Sequence, residues 1–166
     1  MKEAGCTRIY FGIESGNEQI LELMNKKITT EKARQAVIAA HQAGLQVGAF
    51  FILCYPGDTD DTVLETLHFT TSLPLDYIGL SMPYPLPGTD LYKRTKGHIT
   101  RDWHPDDSRL GSHVLIFNAD FSETKMWFAI LKGRAQFEIK KRMGKLATLP
   151  LNLFEKITDA VFRLLR

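Results

Sequence analysis

The sequence predicts an α/β fold built on parallel strands that present their C-terminal loops to one shared site. Three apolar, β-prone runs lead there, at residues 8–13, 46–53 and 76–82. They are near-continuous rather than alternating, the pattern of strands buried on both faces of a covered parallel sheet. Each breaks into Gly, Pro and polar residues before a helical period begins. The resulting order, β-α-α-β-α-β, is that of parallel strands joined by right-handed crossovers. In such folds the rim at the strand C-termini is where ligands bind.

The elements follow in order. Residues 1–5 read as the last turn of a helix stopped by Gly5, and a domain that opens this way is expected to be cut from something longer. The first strand ends in Gly12-Ile13-Glu14-Ser15-Gly16. Asn17 caps a helix over 18–24, ended by Asn25-Lys26-Lys27. Thr30 caps the next, over 31–43, with Ala33, Ala36, Val37 and Ala40 as its apolar stripe and Gly44 as its stop. After the second strand Tyr55-Pro56-Gly57-Asp58 makes a rim turn, and Thr59 or Asp60 opens a helix to about residue 71. The third strand runs into Pro83-Tyr84-Pro85-Leu86-Pro87-Gly88-Thr89, followed by a short helix over 91–95. Residues 98–118 are polar and irregular. Ser122 then caps a long helix over 123–143, and Pro150 starts a final amphipathic helix to residue 165. The chain thus divides into residues 1–97 and a mostly helical extension, 98–166.

Composition narrows the function classes. A chain of 166 residues with 44% apolar and 24% charged residues is long enough for one domain with a real core. A net charge of +2 calls for neither nucleic acid nor a membrane surface. Two separated cysteines, Cys6 and Cys54, exclude a disulfide framework and favour a reducing compartment. No apolar run reaches the ~20 residues of a transmembrane segment, and no apolar core follows Lys2 as in a signal peptide. The cytoplasm is the expected location.

Among candidate site residues, Glu14 and Ser15 come first. A carboxylate at a strand's end can accept from two vicinal hydroxyls of a ribose in one bidentate contact, or it can simply cap a helix. Tyr55-Pro56-Gly57-Asp58 suits a type II turn without further purpose, or a turn whose N–H groups meet a ligand. Pro83–Thr89 is stiff enough to flank an aromatic ligand such as adenine, with Tyr84 or Leu86 against it. Lys26 and Lys27 either meet an anion or are solvated charges at a helix end. His98, His104 and His113 with Asp102, Asp106 and Asp107 match no metal-ligand spacing.

Taken together, Gly5 to Gly16, Leu23 to Thr29, Gly44 to Thr59 and Leu73 to Tyr92 resemble the C-terminal half of a radical S-adenosylmethionine (SAM) enzyme core. The closest subgroup often carries an N-terminal cobalamin-binding domain. The resemblance implies half of a parallel β/α partial barrel with a C-terminal helical extension. It implies SAM and a 4Fe–4S cluster as cofactors and leaves cobalamin open as another. Glu14 would hold the SAM ribose hydroxyls, with Ser15 and Gly16 shaping that loop. Lys26 would face the SAM carboxylate, Tyr55 and Pro56 would form the next rim turn, and Tyr84 and Pro85 would lie near the adenine. Cys54 stands where the family has Gly before its aromatic-Pro-Gly turn, a change expected to alter that turn slightly. The family's CxxxCxxC cluster loop is nowhere in these 166 residues, and neither is its Gly-Gly-Glu segment; both are expected upstream.

In a complete enzyme of this kind, a reduced cluster cleaves SAM to a 5′-deoxyadenosyl radical that abstracts hydrogen from substrate. This chain would supply SAM-binding side chains and part of the substrate wall, with no cluster and no catalysis of its own. The expected partners are the N-terminal half of the same enzyme, a small-molecule or lipid-like substrate, and a second copy across the open sheet edges. The rival expectation is a non-catalytic truncated fold or partner-binding module that works through residues 123–166.

Overall fold

The computed structural model describes residues 1–98 and 119–165. Strands β1 (Arg8–Glu14), β2 (Gln46–Ile52) and β3 (Tyr77–Ser81) form one parallel sheet in the order β1-β2-β3. Helices α1 (Glu18–Leu23) and α2 (Thr30–Gln42) join β1 to β2, and α3 (Asp60–Ser72) joins β2 to β3. Short α4 (Asp90–Thr95) follows β3, and α5 (Glu123–Met143) and α6 (Thr148–Leu164) complete the described chain. The mixed α/β class and the parallel connectivity are as expected. His104, His113, Asp102, Asp106 and Asp107 lie outside the described residues.

Local chemistry sets the boundaries. Asn17, Thr59, Thr89 and Ser122 each accept a backbone N–H of the following first turn, which satisfies a donor the helix cannot pair itself. The cap of α2 is Thr29 rather than Thr30: Thr29 is extended and accepts from Lys32 N. Thr30 is already helical and gives its N–H and its hydroxyl to Glu18 at 2.8 and 2.6 Å. The last helix opens at Thr148, two residues before Pro150, which sits in the first turn where a missing N–H costs nothing. Residues 2–4 form a 3-10 turn closed by Gly5 at φ +86°.

The expectation that these strands are buried on both faces is not met in this chain. Ile13, Val47, Ala49, Phe51 and Leu80 turn toward the helices and form the core. The other face is open, with Tyr10 46% and Phe50 51% exposed. Helix α5 closes the far side of the core against β3 and α3. Its Gly133 lies where an added Cβ would stand 2.5 Å from Leu80 and 2.7 Å from Leu67, so the close approach depends on glycine. Met126, Ala129, Ile130 and Phe162 of α5 and α6 belong to the same hydrophobic cluster as the sheet. Asp159 of α6 fixes that helix by reaching Lys132 at 2.8 Å and His68 at 3.0 Å.

Candidate functional site

The end of β1 is where the backbone departs furthest from ordinary strand geometry. Pairing runs regularly from Arg8↔Gln46 to Gly12↔Phe50, then skips so that Glu14 faces Phe51. Ile13 is the extra residue of this bulge, and its side chain drops into the core. Glu14 is left at φ +73°, a left-handed conformation that costs an L-residue roughly 1–2 kcal/mol. Its carboxylate folds back over Gly12, where an added Cβ would meet Oε1 at 2.8 Å. There Lys26 donates to Oε1 at 3.0 Å. Backbone strain of this kind persists where the surrounding structure over-determines it, and it concentrates at ligand sites.

The residues after Glu14 face inward. The Ser15 hydroxyl is buried 3.0 Å from Thr66 Oγ1 of α3, and the same oxygen accepts from Gly16 N at 3.0 Å. A Cβ on Gly16 would stand 2.5 Å from Phe69 Cβ and 2.9 Å from Thr66 Cα. Ser15 and Gly16 therefore lock the loop onto α3. Thr66 completes this lock, and no local pattern in the sequence singles it out.

At the end of β2, Asp58 N donates to Tyr55 O at 2.8 Å and Gly57 stands at φ +101°, a turn of type II form with Pro56 at its second position. Its organising group is Asp58, which accepts from Tyr55 N at 2.7 Å and from the Thr62 hydroxyl at 2.5 Å. Burial pushes the Asp58 carboxyl up to about 6, against the pull of those hydrogen bonds. Cys54 stands at φ +60°, which accounts for a glycine preference at this position. Its thiol is buried, and desolvation raises its pKa, with the Asp58 charge adding to the effect. The Tyr55 phenol is also raised by burial, partly offset by Arg94 of α4. Arg94 in turn donates to Leu23 O at 3.0 Å, so α4 and α1 meet beside this turn. Beyond β3, Pro85 is buried and Tyr84 half-buried, while Leu86 is exposed.

The open face between these rims carries a pattern of its own. Tyr10, Gly48 and Tyr77 are register partners across the sheet, as are Gly12, Phe50 and Gly79 in the next row. Aromatic rings and glycines thus alternate like a checkerboard. The Tyr10 ring lies across Gly48, whose added Cβ would come within 2.3 Å of it, and the Phe50 ring lies across Gly79 at 2.4 Å by the same measure. The two rings are 5.5 Å apart and within 21° of parallel. Sequence reasoning passed over this surface, although alternate aromatic and Gly residues in paired strands are a legible signal. Among the described residues no three His, Cys, Asp or Glu side chains converge as a metal site, and exposed His98 stands at the end of a 3-10 turn.

A family model described as the radical SAM superfamily matches residues 1–70. An uncharacterised methyltransferase of Pyrococcus horikoshii is 40% identical over 106 residues, covering 62% of this chain and 23% of that protein. A bacteriochlorophyllide d C-12(1)-methyltransferase of Chlorobaculum tepidum is 28% identical over 160 residues, covering 90% of this chain and 33% of its own. The chain therefore spans a third or less of these relatives. The structure of Elp3 from Methanocaldococcus infernus superposes with a TM-score of 0.59 at 17% identity, over 81% of this chain and 28% of that one; this is a likeness of fold. The matched segment and the aligned relatives make residues 1–70 similar to the radical SAM superfamily.

Proposed function

We propose that this chain forms the SAM-ribose side of a radical SAM active site, with Glu14 as the residue that holds the ribose hydroxyls. The observation that carries this is the strained bulge at the end of β1. It spends roughly 1–2 kcal/mol to lay a carboxylate over Gly12 on the open face. A carboxylate there can accept from two vicinal hydroxyls at once. Lys26 orients it through the 3.0 Å ion pair and leaves a positive charge beside the site for the SAM carboxylate. Ser15 and Gly16 act through the loop they pin to α3, Tyr55 and Pro56 through the adjoining rim turn, and Tyr84 and Pro85 through the rim beyond β3. Residues 1–97 supply barrel strands in this reading, and 98–166 the helical extension.

Complete enzymes of this superfamily use SAM and a 4Fe–4S cluster. When bound, SAM supplies the 5′-deoxyadenosyl group for hydrogen abstraction. The residues here do not fit the cluster. The chain has two cysteines, one of them buried with its thiol held in the protonated form, whereas such clusters take several thiolates. The cluster ligands would come from another part of the complete enzyme. Relatives named as methyltransferases make methyl transfer the reaction class we favour, with cobalamin as its accompanying cofactor. One of them is named for a bacteriochlorophyllide, so a planar conjugated substrate is the class we favour.

Saturation-transfer difference NMR with SAM tests the assignment. The ribose protons should carry the strongest signal, and Glu14→Gln should abolish it while leaving the fold intact. An undiminished ribose signal in the variant would refute the role of Glu14.

A further inference from the structure

We propose that the open sheet face is a stacking floor for a planar conjugated ligand carrying a carboxylate, with Tyr10 and Phe50 as the floor and Arg8 as the anion contact. The inference deepens the reading above and rests on it for one point, that a ribose held by Glu14 sits at the upper edge of this face.

Three features converge. The first is flatness. On an ordinary strand face each Cβ lifts its neighbours away from the sheet, but here Gly48 and Gly79 let the Tyr10 and Phe50 rings lie across the backbone. The rings, within 21° of parallel, are half-exposed although each is large enough to form the heart of a core. Exposed aromatic faces of this kind stack on other π-systems.

The second feature is a guanidinium held ready at the lower edge. Arg8 donates to Gln46 Oε1 through Nε at 3.1 Å and Nη2 at 2.9 Å, to the Tyr77 hydroxyl at 3.0 Å and to the Tyr10 hydroxyl at 3.3 Å. It also lies 4.4 Å over the Tyr77 ring. Every one of these partners is uncharged, so the side chain is fixed in place while no carboxylate among the described residues pairs with it. That is how a site is prepared for a carboxylate. The third feature is placement. Tyr10 lies two residues, about 7 Å, below Gly12 along β1, and Gly12 is where the Glu14 carboxylate rests. A flat ligand on the floor would extend from Arg8 up to the ribose position.

The test uses 1-pyrenebutyrate, a planar fluorescent carboxylate, and its neutral counterpart 1-pyrenebutanol, titrated against the full chain. Saturable 1:1 binding of both is expected, tighter for the carboxylate. Tyr10→Ser with Phe50→Ser should weaken both at least tenfold, and both positions are exposed enough that circular dichroism should be unchanged. Gly79→Ala, which lifts the Phe50 ring, should weaken both as well. Arg8→Gln should weaken pyrenebutyrate alone. Binding unaffected by the double variant, or lost only when Leu153→Lys alters the exposed aliphatic face of α6, would overturn the proposal, as would no saturable binding. Glu14→Gln should leave pyrene binding intact. No pyrene binding by the unaltered chain with an intact SAM signal would therefore sink this inference alone, and pyrene binding with no ribose signal would sink only the ribose assignment.

Discussion

Replacing Glu14 by Gly and, separately, by Ala tests whether the bulge at the end of β1 is strained. At an ordinary strand position Gly is about 0.5–1 kcal/mol worse than Ala, because it gives up more chain entropy on folding. At φ +73° the order should reverse. Ala retains its Cβ and with it the roughly 1–2 kcal/mol cost of the left-handed conformation, whereas Gly has no such cost. Both variants lose the Lys26 ion pair, so that contribution cancels in the comparison. Subtracting the entropy cost of Gly leaves Glu14→Gly more stable than Glu14→Ala by about 1 kcal/mol. With a urea slope of about 2 kcal/mol per M for a chain of this size, the midpoints should differ by about 0.5 M. Equal midpoints, or a higher one for Ala, would refute the claim that strain is stored there. Both variants should lose the SAM ribose signal.

Two further outcomes follow from burial at the neighbouring turn. The Asp58 carboxyl is raised to about 6 in the fold, so the native state binds its proton more tightly than the unfolded chain does. Its stabilisation is complete below about pH 4 and is lost as pH rises through 6, about 3 kcal/mol in all and about 1.4 between pH 5 and 8. Urea unfolding at those two pH values should show that slope in the wild type and lose it in Asp58→Asn; the histidines contribute equally to both proteins, and equal slopes would contradict the assignment. Ellman's reagent at pH 8 should label one thiol rapidly, that of half-buried Cys6, and label Cys54 only after urea is added. Two fast thiols would show that the β2 turn opens readily.

Much of the frame was legible because it is local. Asn17, Thr59 and Ser122 act as caps, Gly5 and Gly44 as stops, and Pro56-Gly57 as a turn, each through its own backbone and a neighbour within four residues. Thr29 and Thr30 could not be separated, since either hydroxyl can cap and the choice depends on Glu18, twelve residues away. The site was legible only in part. Glu14 and Lys26 stood out as charges beside a strand end, but their mutual pairing depends on the bulge that folds Glu14 back over Gly12. The inward role of Ser15 needs Thr66, fifty-one residues on. Asp58 read as a turn residue, and nothing nearby announced that its carboxylate would be buried.

The open face shows why the apolar runs misled. Tyr10, Phe50, Gly48 and Gly79 are neutral residues, so they extend an apolar pattern as smoothly as Val47 or Phe51, and a run without charges reads as burial on both sides. In the sheet the two sets do different work. The branched and small residues on the helix side interlock, which is how a core excludes water. The aromatic and glycine residues on the other side meet no opposing layer among the described residues; they lie flat, and a flat surface gains contact only from something equally flat. Interior packing would favour Val or Ile at 48 and 79, filling the pleat rather than clearing it. Glycine at both positions removes side-chain contact from two strands and costs sheet stability. It is therefore better explained by what lies above the rings than by the sheet itself, and Gly79→Ala separates the two. If the face is only an uncovered part of a core, the added methyl should stabilise the chain and leave pyrene binding alone. If it is a floor, binding should fall whatever stability does.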